Sequence, residues 1–506
     1  MQMVSADERA RVQPTSLLNR IAIIACLAWC SVPVWGAPFD EAIALAKTGL
    51  QQQEHGEYAA SEVSFRRAVE IYEREGVTAD PRLAQALNGL GAAQYYRGRH
   101  REAELFYRRA LAIFEQLNQP GMDWAATMKN LCTLHRERAD LTQAEAFCSK
   151  AVTMMQDATG DSPESAAAYA ELAMIAKARG DLRSAERLIH HAEELQTKSA
   201  EPNRLPLWTL WGIEGEILNS DGRWAEAEAL YRRALADCSH ALGAANVRCA
   251  AALNGLGLSL ASREATAGAR QALERALHIF ESNYGPDHQR VAAVLTNLGT
   301  LASSMGDYSR AQKYLERAAA ISEKVMGPDH PDTAATLMNL AGVYLHRRKF
   351  DQAEPLFVRA VAIDQRNGAP ARKLAVDLNN LGAFFFSTRQ WDRSEEAFLR
   401  SIQLYEQCCG GDSVALAGVL GNLAEGYRVQ GRDRDAIAAY RRAMAIWDQH
   451  RDIMSRETAN FLDHYAQLMR KSADYAEANR AEAEAMRIRV KNAMVNGAAG
   501  SSLAAR

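Results

Sequence analysis

Asparagine recurs at Asn297, Asn339, Asn380 and Asn422, at intervals of 42, 41 and 42 residues, and Asn130 falls in the same register. A carboxamide offers a donor and an acceptor, the same pair a peptide group offers. A row of them can therefore hold an extended chain by its backbone, at about 0.5–1.5 kcal/mol net per bond. The same side chain can instead bond the neighbouring segment of its own chain and fix its pitch, and the residues alone leave both uses open. Two Gly-Pro-Asp-His stretches, Gly285–His288 and Gly327–His330, are also 42 residues apart. His288 and His330 with Asp287 and Asp329 could share a metal. Capping explains the motif without one, since Gly ends a helix, Pro stops it continuing and Asp can start the next. No Gly-Lys dipeptide, His-Glu dipeptide or G-x-S-x-G elbow occurs, so no phosphate loop, zinc helix or nucleophile is indicated. The expectation is a chain with no metal, no cofactor and no enzymatic activity.

What positions these residues is a repeat. With Ala42 as position 1, units start near 42, 84, 125, 166, 208, 250, 292, 334, 375, 417 and 459. Position 8 then reads Gly49, Gly91, Cys132, Ala173, Gly215, Gly257, Gly299, Ala341, Gly382, Ala424 and Ala466, and positions 20 and 27 are all Ala or Ser. Position 24 is mostly large, as in Phe65, Tyr107, Tyr231, Phe357, Phe398 and Tyr440. Small residues at 8 and 20 let two antiparallel helices approach closely, and the large side chain fills the hollow beside them. Glycine at position 15 (Gly56, Gly98, Gly180, Gly222, Gly306, Gly431) supplies the bend. Helix A is expected over positions 1–14 and helix B over 17–33, giving an all-α chain of eleven hairpins.

The 8/20/27 triplet resembles the tetratricopeptide repeat over residues 42–494, and the 42-residue unit with Leu-Asn-Asn-Leu-Gly382 and the Gly-Pro-Asp-His linkers resembles its longer kinesin-light-chain type. HEAT and armadillo solenoids share the period but not the triplet. The resemblance implies a right-handed superhelix whose concave wall is lined by helix A at positions 2, 5, 6, 9, 12 and 13. Position 6 carries the asparagines, whose run looks like the asparagine ladders of kinesin light chains and of O-linked N-acetylglucosamine transferase. The implied groove holds Asn130, Asn297, Asn339, Asn380 and Asn422, with Asn379, Thr296, Thr300, Met338, Leu345, His346 and Phe386 beside them. Lys129, Arg136 and Lys177 line earlier repeats, where they could receive an acidic segment or form an ordinary solvated surface.

Around this domain, the apolar run Ile21–Trp35 after Arg9, Arg11 and Arg20 reads as a signal peptide over 1–36, with residues 37–41 as a lead-in and 495–506 as a disordered tail. Export to a periplasm or beyond is expected; a lipoprotein at Cys26, or a signal anchor, is the alternative. Six cysteines remain after the leader, of which Cys238 and Cys249 flank one loop and Cys132 and Cys148 fall on facing helices, so either pair could bridge. Adjacent Cys408 and Cys409 are not expected to pair with each other. The net charge of −3 and pI near 6.5 give no general attraction to nucleic acid. The expected function is a scaffold that binds extended segments of protein partners. The alternatives are a regulatory or assembly subunit of an envelope complex acting through its convex face, and an enzyme of unrecognised site.

Overall fold

The computed structural model describes residues 37–118, 120–160, 162–198, 205–409, 411, 413–450 and 456–503, so the leader read at 1–36 lies outside it. Within these residues the chain is an all-α solenoid of eleven paired helices, with no strand. The hairpins are α1 (Ala37–Glu54) with α2 (Tyr58–Arg74), α3 (Pro81–Tyr96) with α4 (His100–Leu117), α5 (Met122–Glu137) with α6 (Leu141–Thr159), and α7 (Ala166–Ala178) with α8 (Leu182–Lys198). There follow α9 (Leu207–Ser220) with α10 (Trp224–Leu242), α11 (Val247–Ser262) with α12 (Thr266–Tyr284), α13 (Gln289–Ser304) with α14 (Tyr308–Val325), and α15 (Pro331–His346) with α16 (Phe350–Arg366). The last are α17 (Ala371–Ser387) with α18 (Trp391–Cys409), α19 (Val414–Val429) with α20 (Asp433–Trp447), and α21 (Arg456–Lys471) with α22 (Tyr475–Leu503). Helix α1 begins at Ala37, inside the stretch read as a lead-in, and α22 runs to Leu503, into the stretch read as a disordered tail. Three alanines and no proline between Asn492 and Leu503 suit helical extension.

Each hairpin closes on its small and large positions. A Cβ added to Gly91 would lie 2.7 Å from the Tyr107 ring, and one on Gly382 2.7 Å from Phe398. Position 15 is left-handed whether or not it is glycine: Gly98 has φ 74°, and Ala139, Glu264, Arg348, Arg389 and Ala473 have φ between 57° and 62°. The bend is imposed by the packing of the two helices, and the non-glycine residues tolerate a conformation that costs an L-residue about 1–2 kcal/mol.

Repeats are clasped to each other by a recurring ion pair. The carboxylate at position 21 of one helix B meets an arginine at the bend of the next repeat, as in Glu145 with Arg179 (2.7 Å), Glu186 with Arg223 (2.6 Å) and Glu395 with Arg432 (2.6 Å). The A helices of neighbouring repeats pack on one another while the B helices are spread apart. In each part of the chain, helix A therefore forms the inner layer.

The chain divides into two compact units at Leu298 and Gly299. Within the first, the solenoid returns upon itself. Nε2 of His288, ahead of α13, meets the carbonyl of Tyr96 at 3.1 Å across 192 residues, and a Cβ on Gly56 would be 3.0 Å from Val247 of α11.

Candidate functional site

The asparagines on the inner layer fall into two groups. In the first unit Asn130 donates its amide to Asn88 (2.9 Å) and Asn297 donates to Asn254 (2.9 Å); in the second, Asn422 donates to Asn379 (3.0 Å). Each acceptor sits at position 5 of the preceding repeat, so these asparagines join consecutive A helices. Asn339 and Asn380 are half-buried and have no side-chain hydrogen bond to another described residue. For Asn380 the corresponding place in the preceding repeat is Met338, whose thioether is a weak acceptor at best.

The remaining groove residues do not all face the groove. Met338 is 7% exposed and packs into the core between α15 and its neighbours, where the polar Asn88, Asn254 and Asn379 at the same position stay half-buried. Leu345 is half-buried against the same core. Thr296 bonds its own helix, its hydroxyl donating to the Ala292 carbonyl at 3.0 Å. Thr300 and His346 are exposed. The His346 ring stacks on Tyr308 with centroids 4.8 Å apart, and Phe386 meets Trp391 edge-on at 5.6 Å.

Lys129, Arg136 and Lys177 line the inner layer of the first unit, but two of them are already neutralised. Arg136 bonds Glu171 (2.7 Å) and Glu137 (2.9 Å), and Lys177 bonds Glu216 (2.7 Å). Burial lowers the Lys129 ammonium pKa, with the Glu171 carboxylate opposing it. Burial also works to raise Glu137, yet Arg136, then Arg290 and His100, outweigh it and hold the carboxyl at about 2. An acidic segment would have to displace these internal carboxylates, so Arg136 and Lys177 are not a ready clamp.

Three tyrosines that sequence reasoning passed over cluster in the first unit with His288, which it had weighed only as a metal ligand. Tyr58 stacks on Tyr96 (centroids 4.4 Å), Tyr284 lies 5.8 Å from Tyr58, and His288 stacks on Tyr284 at 4.3 Å. His288 Nδ1 accepts from the Arg290 amide (3.1 Å), so Nε2 is the nitrogen that donates to Tyr96. Burial, followed by the Arg290 guanidinium, holds this imidazole down at about 4. His330 likewise caps its helix by accepting from the Asp332 amide at 3.1 Å. In both Gly-Pro-Asp-His linkers the cap is the histidine, where sequence reasoning assigned it to aspartate. Aromatic residues at positions 13 and 17 were the signal available.

Cys132 and Cys148 are joined as a disulfide with Cα atoms 5.3 Å apart, and Cys238 and Cys249 with Cα atoms 5.7 Å apart. The first pair occupies positions 8 and 24, so in that hairpin a bridge replaces the small and large contact. Cys408 and Cys409 are paired too, against expectation; the two sulfurs turn toward each other at the last residues of α18. Among the described residues no group of three or more His, Cys, Asp and Glu could hold a metal, and no helix is long and apolar enough to cross a membrane.

A family model described as tetratricopeptide repeat matches residues 40–116, 207–282, 250–324, 290–366 and 374–449. Among solved structures, a putative kinesin light chain with nearly identical TPR-like repeats from Podosopora anserina is 18% identical, covering 41% of this chain and 97% of that one, with a TM-score of 0.36. BtubC (BKLC) from P. vanneervenii is 25% identical over 46% of this chain and 91% of that one, at a TM-score of 0.35. A Rap protein complexed with Competence and Sporulation Factor is 16% identical over 73% of this chain and 99% of that one, at 0.51. No curated protein sequence matches. The all-helical repeat fold is one typical of non-catalytic interaction scaffolds, and the chain carries no catalytic motif.

Proposed function

This chain belongs to the tetratricopeptide repeat family, and on that footing we propose that it is a scaffold that binds an extended segment of a partner protein along the inner helix layer of its second unit. The observation that carries the reading is the pair Asn339 and Asn380, half-buried on that layer with unused amides, while Asn422 is committed to Asn379. Each free carboxamide can satisfy one peptide group of a bound strand. A repeat separation of about 10 Å would match roughly every third residue of an extended chain.

The test uses peptides selected by display against the wild-type chain. Two bonds at about 0.5–1.5 kcal/mol each predict that the double change Asn339→Ala and Asn380→Ala weakens binding by roughly tenfold, while Asn422→Ala lowers stability more than affinity. Unchanged affinity in the double variant sinks the reading. We infer export as well, supported by the apolar leader and by three disulfides in one chain, which persist in oxidising compartments. A mature protein whose measured mass retains residues 1–36 would count against it.

A further inference from the structure

The second unit repeats a piece of the first and leaves it uncovered. Tyr58 and Tyr96 are 38 residues apart, at positions 17 and 13 of consecutive repeats, and so are Tyr308 and His346. Both pairs stack, at 4.4 Å and 4.8 Å. In the first unit the pair is covered by the turn Tyr284–His288: the Tyr284 ring lies against Tyr58, which is only 4% exposed, and His288 donates to the carbonyl that ends α3. In the second unit neither Tyr308 nor His346 has a further ring contact or side-chain hydrogen bond among the described residues, and His346 is exposed. The His346 carbonyl ends α15 as the Tyr96 carbonyl ends α3. At the next rung of the same register Phe350 has only Ser387 across from it, which leaves a depression of about 400 Å³ floored by Phe350 and Phe384.

We infer that Tyr308 and His346 form an acceptor site for a partner segment carrying an aromatic ring and, four residues on, an N–H donor, seated as Tyr284 and His288 are seated on Tyr58 and Tyr96. The ring continues the stack and the donor satisfies the His346 carbonyl. The occupant's chemistry is set by the turn that fills the equivalent place in the same chain. The site lies where helix A hands over to helix B and does not use the asparagines.

The probe is a labelled peptide with the sequence of residues 282–291, added to the full-length protein and followed by fluorescence anisotropy. Saturable binding is expected, reduced tenfold or more by Tyr308→Ala, as expected when a central aromatic anchor is removed. His346→Ala, a change at an exposed side chain, should weaken it as well and guards against misfolding of the first variant. The pair Asn339→Ala and Asn380→Ala should leave it unchanged, which separates this site from the peptide reading above. No binding at millimolar peptide, or equal binding by wild type and both ring variants, overturns the inference.

Discussion

An asparagine on the inner layer does whatever its neighbour at position 5 of the preceding repeat allows. Asn88, Asn254 and Asn379 each accept from the asparagine that follows one repeat on, whereas Met338 leaves Asn380 unbonded. The row of asparagines was legible in the sequence; its division into tied and free members was not, because it depends on which two side chains the stacking brings within 3 Å. A histidine makes a comparable point about charge. His288 is held at about 4 by burial and then by Arg290 and His100, with Tyr284, Tyr96 and Glu137 also facing it, against about 6.5 in an unfolded chain. A base whose pKa falls on folding contributes stability above the unfolded value and loses it as the pH drops from 6.5 toward 4. Amide exchange, corrected for its intrinsic rate, should therefore quicken around Tyr96 and Tyr284 between pH 7 and 4.5. His288→Gln, which keeps a donor, should abolish the step; an identical acid response in that variant would rule the histidine out as its source.

Helix pairs owe their closeness to positions 8 and 24, and those were readable from residue size alone. Gly382 is filled against Phe398, so Gly382→Ala is expected to overpack that hairpin and cost about 1–3 kcal/mol. Gly342, at position 9 of the preceding A helix and so turned away from helix B, has nothing within 4 Å of its would-be Cβ. There Gly342→Ala should stabilise by about 1 kcal/mol through helix propensity. Thermal melts of the two variants should move in opposite directions, and a shared direction would contradict the packing derived for position 8. The clasp between position 21 and the next bend also had a sequence signal, since Glu62, Glu104, Glu145, Glu186, Glu228, Glu354 and Glu395 all stand there. Its partner was harder to see because the arginine shifts among positions 14, 16 and 19. Such half-exposed pairs are worth about 0–1 kcal/mol each, and their contribution is to fix how one repeat sits on the next.

At the scale of the whole chain, a buried carboxyl in the second unit should answer pH with the opposite sign to His288. In the second, burial and then the Asp364 carboxyl raise Asp377 to about 7, while Lys373 works against them. An acid whose pKa rises on folding contributes stability below its unfolded value of about 4 and loses it as pH climbs through 7. Exchange near α17, corrected for its intrinsic rate, should be faster at pH 8 than at pH 6, and Asp377→Asn should flatten the trend; a trend that survives in that variant would assign it elsewhere. The number of repeats followed from the sequence, but the meeting of Tyr96 with His288 did not, since it sums small rotations over five repeats that no local pattern encodes. That meeting also bears on how the protein folds. A plain stack of repeats folds by adding neighbours, with every contact local. A seam between residues 192 apart forms only after all the hairpins between are in place, and long-range closure is slow. Tyr96 and His288 should therefore come together late in folding, well after the hairpins that carry them.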